Sequence, residues 1–289
     1  MDLTRRDLLV GTAATLASHA LRGVPRAAPP RLILRVDDMG YAHAGNEAIV
    51  RTVRDGIASS VEVIAPSPWF PEATRMLADI PQVDVGVHLA LTSEWDLVKW
   101  RPLTEARSLR DADGYFHPML VRNPNYPSRA LVEQQWKIED VEREFRAQIE
   151  LAKKHVPRLS HWSAHMGCTS LSPDVSALAK SLGREYGIDI IPTERGVRSV
   201  SYVGARATSA EKIESLLRML DSLEGDRTYM MVDHPGLDGP ELRAVHHVGY
   251  ENVAIDRQGV TDAFTNARVR ARIRERGIQL IGYRDLTSP

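Results

Sequence analysis

The residues of this chain best equipped for chemistry are the adjacent carboxylates Asp37 and Asp38 and the histidines His88, His161, His165 and His234. Asp37-Asp38 follows the apolar run Leu32-Ile33-Leu34 and stands just before Gly40, which can turn the chain. Two unpaired carboxylates side by side repel and are costly to desolvate unless a cation or a proton resolves the conflict. Alternation along a strand predicts that the two acids point in different directions. The histidines also close apolar runs: Val83–Val87 leads to His88, the run from Leu159 leads to His161 and His165, and Tyr229–Val232 leads to Asp233-His234. A lone histidine at a strand end is more often a structural hydrogen-bonder than a ligand. Three such ends plus an Asp-Asp end converge on one rim if the strands share a sheet. One carboxylate with two imidazoles leaves open positions on a metal, the arrangement catalysis needs. His161 and His165 could clamp a metal from one helix, but a zincin motif needs Glu after the first histidine, where Trp162 stands. The local pattern is strand-to-loop, so one ligand is expected here, His165, the nearer to the rim.

The elements that must position these groups alternate. Strand-like runs cover Leu32–Val36, Ile57–Ile64, Val83–His88, Leu159–Ser163, Ile188–Ile191, Tyr229–Val232 and Ile278–Ile281. Helical patterns cover Ala44–Asp55, Pro71–Asp79, Gln134–His155, Asp174–Tyr186, Ala210–Leu223 and Asp262–Arg276, with Ser209 and Thr261 as N-caps and Gly187 and Gly277 as stops. This rhythm means parallel strands joined by crossover helices, and about seven strands around one core predict an α/β fold, a barrel or distorted barrel, with surrounding helices. The 289 residues suffice for one large domain, and neither linker nor repeat interrupts 31–289. Lys plus Arg number 37 against 38 acids, with no basic stripe, which argues against a nucleic-acid partner. The single cysteine, Cys168, excludes an internal disulfide or a cysteine metal cage.

Residues 1–30 read as a targeting segment and spacer. Arg5-Arg6 precedes an alanine-rich, mildly apolar stretch, and a Pro-rich stretch runs from Val24 to Pro30, a pattern that resembles a twin-arginine export signal. The expectation is a periplasmic or extracellular protein. Gly11, Thr12, Thr15, Ser18 and His19 interrupt the apolar run, which argues against a lasting membrane span.

Four motifs carry a resemblance to a known family: Val36-Asp37-Asp38-Met39-Gly40, Gly86-Val87-His88-Leu89-Ala90-Leu91-Thr92, Ser160-His161-Trp162-Ser163-Ala164-His165 and Asp233-His234-Pro235-Gly236. Their order and spacing resemble the YdjC-like carbohydrate deacetylases, from about Leu32 to the C-terminus. The resemblance implies a distorted (β/α) barrel that removes acetyl groups from N-acetylated sugars or oligosaccharides. It also implies one divalent cation, Mg2+ or Zn2+, held by Asp38, His88 and His165, with Asp37 as base. The leaving amine also needs an acid to protonate it, and His234 is the candidate. One position departs from the pattern: Ser163 stands where the family usually has an aspartate, and a hydroxyl orients an imidazole less strongly than a carboxylate.

Between His88 and the helix near Gln134 lies a long connection containing Trp95, Trp100, Tyr115, Phe116, Tyr126 and Trp136. Trp95 and Trp100 are the candidates to stack on sugar rings; the competing reading is a hydrophobic cluster fastening the loop to the barrel. Arg257 fits either a carboxylate-positioning group or a surface ion pair. Two other functions remain open, another metal-dependent hydrolase of phosphoesterase type and an exported carbohydrate-binding protein with a degenerate site. A homodimer is a further expectation.

Overall fold

The computed structural model describes residues 28–286, so the expected export segment lies outside the described residues apart from its last three positions. Those three are tied to the body: the Ala28 N–H donates to Asp226 Oδ1 at 2.7 Å, and the Pro30 carbonyl accepts from the Gln279 N–H at 3.0 Å.

The chain alternates as expected. In order come β1 (Arg31–Met39), α1 (His43–Arg54), β2 (Ser60–Val63), α2 (Phe70–Ala78), β3 (Asp84–Leu89), α3 (Ile138–His155) and β4 (His161–Ala164). Then follow α4 (Pro173–Tyr186), β5 (Arg198–Ser199), α5 (Ser209–Ser222), β6 (Thr228–Asp233), α6 (Pro240–Arg243), α7 (Val253–Thr265), α8 (Ala267–Glu275) and β7 (Gln279–Leu280). Every pairing is parallel, in the order β4-β3-β2-β1-β6-β5. β7 pairs with the first residues of β1, on the edge that β2 takes over from Arg35 onward. No pairing joins β4 to β5 among the described residues, so the sheet curls into a half barrel rather than a closed one.

Period-two alternation sorts the strand residues. Leu32, Leu34, Val36, Val61, Val63, Val85, Val87 and Leu89 belong to the main core with the surrounding helices. The alternate positions line the barrel interior. Near its floor Ile33 packs with Val197, Ile281, Tyr283 and Leu286 in a separate small cluster. Above that floor the interior is polar, with Glu62, Asp84, His88, His161 and Ser163 all buried. Among the described residues no helix is long and apolar enough to cross a membrane.

Some sequence expectations need correction. Ile188–Ile191 is not a strand: the Ile188 N–H donates to the Gly183 carbonyl to close α4, with Gly187 in the left-handed conformation. The fifth strand is the short Arg198–Ser199. The N-cap of α5 is Thr208, one residue earlier than expected, in a capping box with Glu211. Thr261 lies inside α7, because the expected Asp262–Arg276 helix is split at Asn266, whose extended backbone and side chain cap α8 instead.

Candidate active site

The acids sit on a β-bulge. Val36 pairs with Val61 and Met39 with Val63, so three steps on β1 face two on β2. Asp38 takes up the extra residue at φ 70, a left-handed conformation that aspartate tolerates better than most side chains. The expectation that the two acids diverge is therefore wrong. Asp37 Oδ2 and Asp38 Oδ1 stand 3.7 and 3.5 Å from the same nitrogen, His88 Nε2. Gly40, at φ 110, then turns the chain where a Cβ would meet Ser67 Oγ at 2.4 Å.

His88 rises from the end of β3 and His165 from the turn after β4, with ring centroids 5.3 Å apart. Asp38, His88 and His165 each offer one ligand atom, all within 4.8 Å of one another, and all three residues are buried. The donor set fits a divalent cation. Each member also has its other polar atom held from behind, as ligating side chains require. Ser163 Oγ is 2.6 Å from His88 Nδ1, Glu94 Oε2 is 2.8 Å from His165 Nε2, and Arg257 Nη2 donates to Asp38 Oδ2 at 3.0 Å. His161 belongs to another layer, 2.5 Å from Glu62 and stacked on Tyr283 at 3.4 Å between centroids. The structure thus gathers His165, not His161, into the cluster.

The electrostatics differ from ring to ring. Burial dominates at His88 and lowers its pKa to about 4, despite Asp37 and Asp38 nearby. Burial also pushes His165 down, but Glu94 and Asp38 outweigh it and raise the pKa to about 10. For Asp38, burial pushes upward while His234, His165 and Arg257 hold the carboxyl well below its ordinary range. These directions follow from the protein groups themselves, and a cation would replace the protons at its ligands.

Asp37 is gripped by Arg35 from two positions along the same strand, through Nη2 to Oδ2 and Nε to Oδ1, both at 2.8 Å. Arg35 in turn donates Nη1–H to Tyr283 Oη at 3.0 Å. His234 stands on the opposite lip, its ring 38% exposed and its Nε2 3.7 Å from Asp38 Oδ2. Burial lowers its pKa, but Asp38 and a bond to Asp233 outweigh that and raise it. Beside Asp233 opens a cleft of about 660 Å3 whose lining includes Tyr202, Arg206, Lys212, Tyr250 and Asp256.

Trp95 and Trp100 lie at the site but not as open platforms. Both are 2% exposed. The Arg257 guanidinium lies 5.1 Å from the Trp95 ring and 4.7 Å from Tyr41, and Trp100 packs 5.8 Å from His165. The expected sugar-stacking role is corrected on this ground: their faces are already covered, and they act as walls. Phe116 and Tyr126 are buried as well, so the fastening reading describes the long loop better. Arg257 is the carboxylate-positioning group and not a surface ion pair. Sequence reasoning missed Arg35, Glu62 and Glu94. The only signal for Glu62 was a lone charge in an otherwise apolar strand, while Arg35 stands among other charges on β1 and Glu94 lies in the loop beyond β3.

A sequence model of the YdjC-like protein family matches residues 31–275. The carbohydrate deacetylase of Thermus thermophilus is 37% identical over 158 residues, which cover 54% of this chain and 50% of that protein. Carbohydrate deacetylase 2 of Listeria innocua is 26% identical over 267 residues, 89% of this chain and 98% of that one. Among solved structures, a putative cellobiose-phosphate cleavage protein from Enterococcus faecalis is similar with a TM-score of 0.70 at 23% identity, covering 90% of this chain and 100% of that one. This last likeness is one of fold.

Proposed function

The chain belongs to the YdjC-like family, and we propose that it is a metal-dependent deacetylase that hydrolyses the acetamide of an N-acetylated sugar or oligosaccharide. The observation that carries this reading is the convergence of Asp38, His88 and His165 within 4.8 Å, with Asp37 on one side and His234 on the other. The names of the relatives from Thermus and Listeria support the same reaction class.

Asp38, His88 and His165 would hold one divalent cation, zinc or magnesium. Such an ion polarises a carbonyl and acidifies a water beside it. The protein's own residues then have separable tasks. Asp37, fixed by Arg35, takes the proton of the attacking water as the C–O bond forms at the acetamide carbon. His234, on the open lip, gives a proton to the sugar nitrogen as the C–N bond breaks, releasing acetate and the free amine. Arg257 keeps one oxygen of Asp38 occupied so that the other faces the cation. The sugar rings extend into the cleft beside Asp233, where Tyr202 and Tyr250 take the place expected of the tryptophans. A two-metal phosphoesterase needs a second ligand set and a bridging carboxylate, and among the described residues one cluster of this kind occurs.

The deciding experiment is an acetate-release assay on a panel of N-acetylated oligosaccharides, before and after chelation and after zinc or magnesium is returned. Release that stops with chelator and resumes with metal is expected. Release that ignores chelator removes the cation from the reaction, and no release from any substrate leaves the binding-protein reading standing.

A further inference from the structure

Ser163 stands where a carboxylate was expected, yet a carboxylate reaches it from another strand. Glu62 on β2, Gly86 on β3 and His161 on β4 are register partners in a row across the sheet. Gly86 has no side chain, and a Cβ there would lie 2.4 Å from both Glu62 Oε2 and His161 Nε2. Glu62 can therefore span β3 and touch β4. Its Oε1 lies 2.5 Å from His161 Nε2, and its Oε2 accepts the Ser163 hydroxyl at 2.5 Å. One layer nearer the rim His88 and Ser163 are themselves register partners, with Ser163 Oγ 2.6 Å from His88 Nδ1.

The proton count decides what this chain of contacts does. A serine hydroxyl has a single proton, and an ionised carboxylate only accepts. Burial works against ionised Glu62, but His161, Arg35 and His88 hold its pKa at about 2. Ser163 must then give its proton to Glu62 and use an oxygen lone pair to accept from His88 Nδ1–H. That leaves the lone pair of His88 on Nε2, the nitrogen that faces Asp37 and Asp38.

We infer that Glu62 is the carboxylate that sets the tautomer and orientation of His88, acting through Ser163 as a hydroxyl relay. Glu62 is a positioning residue, since it touches neither substrate nor cation, and the inference rests on His88 being a cation ligand. The departure at position 163 is thus compensated within the fold: the acid has moved one strand further away, and Gly86 is the gap that lets it act.

The test uses the purified full chain and zinc titration calorimetry at neutral pH, with thermal melts to establish that each variant is folded. Glu62→Gln and Ser163→Ala are each expected to weaken zinc binding by roughly 10–100-fold, the usual effect of losing a group behind a ligand. Because the links act in series, the double variant binds no more weakly than Ser163→Ala alone. Ser163→Asp placed on the Glu62→Gln background recovers affinity, since its carboxylate reaches Nδ1 directly. Unchanged affinity in Glu62→Gln, or a double variant that loses the product of both effects, overturns the inference. A wild-type protein that binds no zinc overturns the metal reading itself. If Glu62→Gln does not fold, long-range 1H–15N spectra of the unsubstituted, metal-free protein still decide: a proton on His88 Nδ1 is expected, and one on Nε2 overturns the relay.

Discussion

On the outward face of the sheet, Leu32, Leu34, Val36, Val61, Val85 and Val87 pack into the main core. On the inward face the same three strands carry Arg35, Asp37, Ser60, Glu62, Asp84 and His88. The aliphatic face gains about 25 cal/mol for each Å2 removed from water, and each contact stands on its own. The charged face loses hydration, and each group is tolerable only because a particular partner is in place. Arg35 answers Asp37, His161 and Ser163 answer Glu62, and Arg284 answers Asp84. One face can be altered piecemeal at a graded cost in stability, while the other behaves as a single network whose alteration reaches the reaction.

Four changes probe that division. Asp37→Asn keeps the shape of the inner face and removes the proposed base, so kcat for acetate release is expected to fall by about 10^2–10^4-fold while zinc affinity stays. A variant retaining most of its turnover would take Asp37 out of the proton transfer. Leu34→Ala on the outer face is expected to lose about 2–5 kcal/mol in urea denaturation with turnover per folded molecule unchanged. Turnover that fell in step with stability would show that the faces are not separable. The third probe is acid. Glu62 is held at about 2 from an ordinary 4.5, a depressed value, so its contribution is complete above the ordinary pKa and is lost as pH falls from about 4.5 toward 2. On the order of 3 kcal/mol should disappear across that window, and Glu62→Gln should flatten the stability profile there. The smallest effect is expected for Trp95→Phe: an unchanged KM, with less stability lost than the roughly 3–5 kcal/mol of truncating the ring to alanine. A raised KM would return Trp95 to the sugar-contacting role.

The strand ends and their histidines were legible because a motif at the end of an apolar run specifies both the element and the direction its last residue faces. On that basis the Asp-Asp end and the histidine ends could be expected on one rim, and the family resemblance then picked out Asp38, His88 and His165 among them. The shared aim of Asp37 and Asp38 was not legible, since it depends on a bulge and a positive φ that alternation alone does not anticipate. Glu62 escaped notice for a related reason. It is one acid among valines in Ser60–Val63, and its meaning comes from Gly86 and Ser163 on neighbouring strands, not from its own segment. Trp95 and Trp100 were placed correctly near the chemistry, but composition says nothing of whether a ring is covered. The missing strand at Ile188–Ile191 and the split at Asn266 are local contests, between β-branched residues and a helix-ending turn in one case and between helix continuation and an asparagine cap in the other.

The contact of Tyr283 with Arg35 and His161 has a consequence for biosynthesis. Arg35 and Tyr283 are separated by 248 positions, so at typical translation speeds the arginine waits roughly ten to fifty seconds for its partner to be made. Until then the inner face lacks both the ring stacked on His161 and the edge contributed by β7. The floor beneath the site is therefore closed only when Ile281, Tyr283 and Leu286, at the far end of the described chain, join Ile33 and Val197.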